Sequence, residues 1–169
     1  MKRVKKIRAL KPGQSGKLLK RKSVIPVNAV SRFVAREHLQ SANVGWTGEN
    51  FKRLLLDKVE ESIPAGRIEI GRLVGGAFDF EIQAELGRVR RITRLAHFFQ
   101  LLKKQAKGQA GPLLTNSMAN VAYCFGGDGN VWAVFASWGS FSHDWIVGAD
   151  SVGFPRGWGA GRQVLSQAV

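Results

Sequence analysis

The chain has one cysteine, three histidines and, over its first 22 residues, no aspartate or glutamate. A lone Cys124 cannot close an internal disulfide, and no Cys/His set has the spacing of a zinc site. His38, His97 and His143 lie far apart with no ligand pattern around them. These scarcities give no reason to expect a metal or other cofactor. No apolar run approaches the roughly 20 residues of a membrane-spanning helix. The N-terminal charges are not followed by the run of roughly seven or more apolar residues that a secretory signal carries. A mitochondrial-type presequence shares the basic, acid-poor composition of this start. The glycine-rich stretches "GGDGN" and "GWGAGR" lack both the lysine and Ser/Thr of a phosphate-binding loop and the spacing of a dinucleotide fingerprint.

What the chain does have is positive charge, unevenly placed. Its 169 residues hold 26 Lys and Arg against 12 Asp and Glu, a net charge of +14. Ten of the basic groups fall in residues 1–22, and residues 23–169 hold sixteen against twelve acids. They form two clusters, Lys2, Arg3, Lys5, Lys6, Arg8 and Lys11, then Lys17, Lys20, Arg21 and Lys22, separated by Pro12, Gly13 and Gly16. Val4, Ile7 and Leu10 recur every third residue, which allows one short helix on docking but none that persists alone. Lysine-rich arms neutralise phosphates and release counterions, giving affinity without sequence specificity. Anionic membrane surface suits such an arm less well, because it offers only three spaced apolar residues and no aromatic anchor.

A hydrophobic content of 44% places the remainder among folded chains. Apolar spacing predicts a helix over 28–41, with Val30, Phe33 and Val34 inward. A second follows over 48–62, with Phe51, Leu54, Leu55, Val59 and Ile63 in a stripe, Thr47 as its N-cap and Pro64 beyond its end. "RIEIGRLVGGAFDFEIQAEL" alternates apolar with polar residues and predicts a hairpin with a three-residue loop at 74–76, pairing Ile70 with Phe80 and Ile68 with Ile82. A third helix over 88–107 would carry seven basic residues and no acid. Arginines in its first turn oppose the helix dipole, so they must answer to something else. Beyond a linker at 108–117, strands near 119–125, 131–138 and 144–152 make a meander turning at "GGDGN" and "GSFS". The expected class is α+β: a small mixed domain with about three helices, a β-hairpin and a C-terminal antiparallel meander, behind an extended basic arm. The divisions are 1–23 for the arm, 24–107 for helices and hairpin, 108–117 for the linker and 118–169 for the aromatic β region, with 24–169 compatible with one domain.

Four groupings could carry chemistry. Arg88, Arg90, Arg91 and Arg94 could lie along a phosphate backbone, or pair with Glu69, Asp79, Glu81 and Glu85. The cluster of Trp132, Trp138, Trp145 and Trp158, with Tyr123 and Phe135, is poor in Lys and Arg, so core or subunit interface fits it better than base stacking. On a strand, Trp132, Val134 and Trp138 share one face and Val131, Ala133 and Phe135 the other, and both faces need covering. "SFSHDW" at 140–145 is no Ser–His–Asp relay, because neighbours in an extended strand point apart. Glu69, Asp79 and Glu81 would cluster on the hairpin and could hold Mg²⁺ for phosphoryl chemistry.

The expectation is a non-enzymatic, nucleic-acid-associated structural protein, a component of a virion or other nucleoprotein assembly, residing in the cytoplasm or within a virion. Its partners would be nucleic acid, held non-specifically through phosphates, or an acidic protein surface, together with other subunits. An inhibitor binding an acidic protein and a metal-dependent nuclease are the alternatives.

Overall fold

A computed structural model describes residues 18–153 and 157–169. Strand takes 43% of it and helix 19%. Seven strands make one mixed sheet in the order β1-β5-β11-β7-β8-β9-β3. These are β1 (Leu19–Val27), β3 (Val44–Thr47), β5 (Gly66–Leu73), β7 (Asn120–Phe125), β8 (Val131–Gly139), β9 (Asp144–Ser151) and β11 (Gln163–Gln167). Neighbours run antiparallel except β11 with β7 and β3 with β9. Two small ribbons flank the sheet: β2 (Val30–Val34) with β4 (Val59–Ile63), and β6 (Ala77–Phe78) with β10 (Gly157–Trp158).

The meander β7-β8-β9 matches the expected strands within two residues, and both faces of its central strand are covered. Trp132, Val134, Ala136 and Trp138 enter a large core with Phe51, Phe98, Phe99 and Trp145. Val131, Ala133 and Phe135 face a smaller core with Tyr123, Ile82, Leu86 and Trp158. α1 (Glu49–Leu54), α3 (Leu95–Lys104) and the β2–β4 ribbon contribute to the first core, and α2 (Asp79–Leu86) to the second.

A balanced α+β class is overturned, because three expected helical or hairpin segments take other forms. Residues 28–41 hold β2 and a 3-10 turn at Ala35–His38 rather than a helix. The second helix stops at Leu54, where the Leu55 and Leu56 amides both donate to the Phe51 carbonyl, and the chain continues into β4. The apolar residues 51, 54 and 55 are buried as expected, while Val59 is exposed on the ribbon.

The hairpin is the largest departure. β5 forms, but it lies between β1 and β11, so Ile70 faces Ser23 and Leu165 rather than Phe80. Residues 79–86 make a helix. "DFEIQAEL" satisfies two periods, and the helical one buries Asp79, Ile82, Glu85 and Leu86, leaving Phe78 and Phe80 exposed and stacked on each other at 5.9 Å. The Glu81 carboxylate accepts from the Phe78 amide at 2.8 Å, and Asp79 and Glu81 suit the positive end of the helix. Gly87, at φ 77°, ends it in a backbone region that favours glycine.

The third helix is shorter than expected and begins after the arginines. Residues 90–93 dock beside β11 and β7: Gln167 donates its amide to the Arg90 carbonyl, Ile92 bridges Tyr123, and the Thr93 amide donates to the Tyr123 carbonyl. The dipole conflict noted from sequence is thereby resolved, since α3 starts at Leu95 with Glu60 at its N-terminus.

Lys20, Arg21 and Lys22, assigned to a free arm, belong instead to the edge strand β1, with a bulge at Lys22 between Arg21 and Ser23. Basic side chains, a bulge and Pro26 protect an edge against pairing with other chains. The remaining arm positions, Lys2 to Lys17, lie outside the described residues. Residues 108–117 are pinned to the body: Gln105 exchanges two hydrogen bonds with the backbone of the buried Leu113, and Gln163 donates to the Pro112 carbonyl.

Two imidazoles, His97 buried and His38 half-buried, link this packing to pH. His38 stacks on Phe33 and accepts a hydrogen bond at Nδ1 from Lys103 Nζ, and its pKa is lowered by burial and by the Lys103 charge. His97 donates from Nε2 to the Pro64 carbonyl at 3.0 Å, and burial lowers its pKa also. Below about pH 6.5 the unfolded chain therefore binds protons that the folded chain refuses. Stability should fall as pH drops from 7.5 to 5.5. Asp57, held below its usual value by its hydrogen bond with Arg36, acts only in a more acidic window. Urea midpoints across this range test the effect, and an unchanged midpoint contradicts it.

Candidate nucleic-acid interface

The exposed cations divide into two kinds. Around the β2–β4 ribbon and α1 three are neutralised locally: Arg32 pairs with Glu37 at 3.1 Å, Arg36 with Asp57 at 2.6 Å and Lys52 with Glu49 at 3.2 Å, while Arg53 bonds Asn50 and lies over the Trp132 ring. Exposed pairs of this kind contribute little to stability and leave little field.

Along β1 and across the second face the acids are buried and already engaged. Glu69, 4% exposed, receives Arg90 Nη2 at 3.0 Å and Arg21 Nε at 3.9 Å. Glu85 accepts from the amides of Leu18 and Leu19, fixing the point where the N-terminal segment joins the body. Lys20, Lys22, Arg67, Arg88, Arg91 and Arg94 make no ion pair among the described residues. Lys20 sits directly opposite Arg72 on β5. Like charges facing each other across strands are destabilising unless an anion joins them. In the sequence, residues 1–17 hold seven further cations and no acid.

The four arginines of "RVRRITR" are therefore not equivalent. Arg88 and Arg94 are exposed and Arg91 half-buried, while Arg90 points inward to Glu69 at 3% exposure. The acid-pairing reading holds for Arg90 with Glu69 alone; Arg88 and Arg94 stay exposed, and Arg91 is half-buried with its Nε inside. No sequence signal separated them, because the choice depends on the chain docking beside the sheet rather than coiling.

The carboxylate cluster does not assemble. Glu69 is paired with Arg90. Asp79 Oδ1 accepts from Tyr123 Oη and Trp158 Nε1, both at 2.7 Å, and Glu81 caps α2. Among the described residues no group of three or more His, Cys, Asp or Glu could hold a metal ion. The nuclease reading loses its geometric basis because it required residues 79–85 to be a strand. His143 is exposed beside a turn, while Ser142 donates to Asp144, so "SFSHDW" forms no relay.

The tryptophans given as a candidate interface are core residues. Trp132, Trp138, Trp145 and Trp158 are 9%, 6%, 0% and 6% exposed. Trp145 donates to the Leu102 carbonyl and meets Trp138 edge-on at 5.2 Å. Trp46 on the edge strand β3 is the exposed one, at 56%. Cys124 is fully buried, and burial pushes its thiol pKa up, as for an inert core cysteine.

At the end of the sheet where β7 and β11 finish lies a cleft of about 500 Å³, lined by Lys58, Glu60, Thr93, Arg94, His97, Phe125 and Gln167 among others. Glu60 forms part of its wall and takes the amides of Leu95 and Ala96 at 3.1 and 2.9 Å, with Lys58 Nζ at 3.4 Å. Sequence reasoning missed this cleft, whose lining residues come from four separate stretches of the chain.

No protein-family model, curated protein or solved structure matches the chain. In the described residues no helix is long and apolar enough to cross a membrane.

Proposed function

We propose that this chain is a non-enzymatic structural protein that associates with nucleic acid through phosphates, as a component of a virion or other nucleoprotein assembly. The observation that carries the reading is the segregation of charge. Lys20, Lys22, Arg67, Arg88, Arg91 and Arg94 are free of ion pairs among the described residues, and the sequence of residues 1–17 adds seven cations and no acid. The acids Glu69 and Glu85 are spent inside the protein. A solvated solubility surface would have no reason to oppose Lys20 and Arg72 or to leave Arg88 and Arg94 exposed without an ion pair among the described residues.

Binding of duplex and single-stranded DNA and RNA, measured at several salt concentrations, tests this. With about six phosphates engaged, the log–log salt slope for duplex DNA should be near −5. Removing residues 1–17 should flatten it by several units, and Arg88→Glu with Arg91→Glu should lower affinity further. Absence of salt-dependent binding to any nucleic acid sinks the reading. Salt-dependent capture of an acidic protein in its place selects the regulator alternative.

A further inference from the structure

The cleft at the ends of β7 and β11 separates charge by depth. Its deep groups are neutral or compensated. Thr93 is 1% exposed and its Oγ1 has no hydrogen-bond partner, although hydroxyls buried in this way normally have one. His97, its pKa lowered by burial, is neutral at pH 7. The Glu60 charge is met by the α3 amides and by Lys58, which also donates to the Phe125 carbonyl. Gln167 contributes an amide side chain with no hydrogen bond among the described residues.

The rim differs. Arg94 is exposed and without an ion pair, and Phe125, 46% exposed, presents an aromatic side chain at the end of β7. Ile92 and Pro64 add apolar wall. The volume is that of a small-ligand site, far too small for a duplex. A flat neutral body with hydrogen-bonding edges would suit the interior, and an anion attached to it would meet the cationic rim.

We propose that this cleft receives one unstacked nucleotide, its base against Phe125 with its polar edge toward Thr93 Oγ1 and Gln167, and its phosphate at Arg94. The proposal rests on the nucleic-acid reading and adds to it a preference for unpaired strand. The outward arginines bind any phosphate backbone, whereas the cleft admits a base only where that base is free of a duplex.

Fluorescence anisotropy on the full chain tests it, using a 12-nucleotide single strand, a 20-base-pair duplex and free nucleoside monophosphates as probes. Phe125→Ala removes the aromatic side chain of a half-exposed residue, and Thr93→Val removes a hydroxyl that has no partner, so both should leave the melting temperature nearly unchanged. Stacking of one base predicts a loss of about 5- to 150-fold in single-strand affinity for Phe125→Ala, with duplex affinity unaltered. Thr93→Val should weaken single-strand binding several-fold. Equal losses on both strand forms, or none on either, overturn the proposal while the salt slope of the wild-type protein still supports phosphate binding. A wild-type protein that binds neither strand form overturns the nucleic-acid reading itself. Binding of a free monophosphate without single-strand binding overturns the strand preference and assigns the cleft to a soluble nucleotide.

Discussion

Replacing Arg90 with alanine is expected to destabilise the protein by about 3–5 kcal/mol, near the lower end of that range. Arg90 and Glu69 lie inside the second face of the sheet with side chains 4% and 6% exposed, joined at 3.0 Å. Truncation leaves the Glu69 carboxylate buried beside Arg21, whose Nε stands 3.9 Å away with a side chain 42% exposed. Arg21 can close part of that gap, which is why the lower end is expected. The pair is costly to halve but not costly to remove. Exchanging both members for apolar residues, Glu69→Leu with Arg90→Met, should recover most of the loss, because a buried ion pair roughly balances its own desolvation. Arg90 Nε and Nη1 have no hydrogen-bond partner, so the native pair is incompletely satisfied and the double variant has less to replace. Urea unfolding with an unchanged m-value measures the difference. A single variant as stable as wild type would show that Glu69 is not confined as described. The pair also turns Arg90 inward, while its neighbour Arg88 is exposed and Arg91 half-buried.

The second large effect is expected at Asp79. Its Oδ1 accepts from Tyr123 Oη and Trp158 Nε1, both buried, with Tyr123 drawn from the middle of β7 and Trp158 from β10. Asp79→Ala removes the shared acceptor and leaves two buried donors without this partner. Each unsatisfied group costs about 1–3 kcal/mol, so a loss of about 3 kcal/mol or more should follow. Asp79→Asn keeps an acceptor of similar shape and should cost less. Tyr123→Phe removes one donor with its partner's need and should cost least. The order Ala, Asn, Phe in decreasing loss, read from urea midpoints, identifies Asp79 as the carboxylate tying α2 to the sheet. Burial and the adjacent Asp79 charge push the Tyr123 pKa up, so the phenol stays protonated as a donor across the working pH range. An unchanged midpoint in Asp79→Ala would return this carboxylate to the list of groups available for chemistry.

The meander was legible because its signals are local. Strand periodicity in 119–138 coincides with β-branched and aromatic residues, and "GGDGN" supplies the turn: Asp128 bonds Asn130, Gly126 exchanges bonds across the loop and Gly129 takes φ 78°. The division of Trp132, Val134 and Trp138 from Val131, Ala133 and Phe135 follows from the two-residue period alone, and the two cores keep to it. The net charge and its concentration at the N-terminus are equally local facts.

Residues 79–86 show where local reading stops. Phe78, Phe80, Ile82 and Ala84 alternate as in a strand, yet the same eight residues present Ile82 and Leu86 on one helical face. Local pattern cannot choose between two buried-face solutions of similar quality. The choice was made by partners distant in sequence: β5 already has β1 and β11 on its two edges, leaving no edge for a second hairpin strand. Asp79 and Glu85 also find their donors in Tyr123, Trp158 and the amides of Leu18 and Leu19. The "RVRRITR" segment and the cleft are of the same kind. Composition and local period alone determined that this protein carries a large excess of positive charge, concentrated at its N-terminus, and an aromatic half built of strands. Which arginines face outward, which carboxylates are spent, and where a cleft opens were decided by tertiary structure, because each depends on contacts between segments tens of residues apart whose pairing no local period encodes.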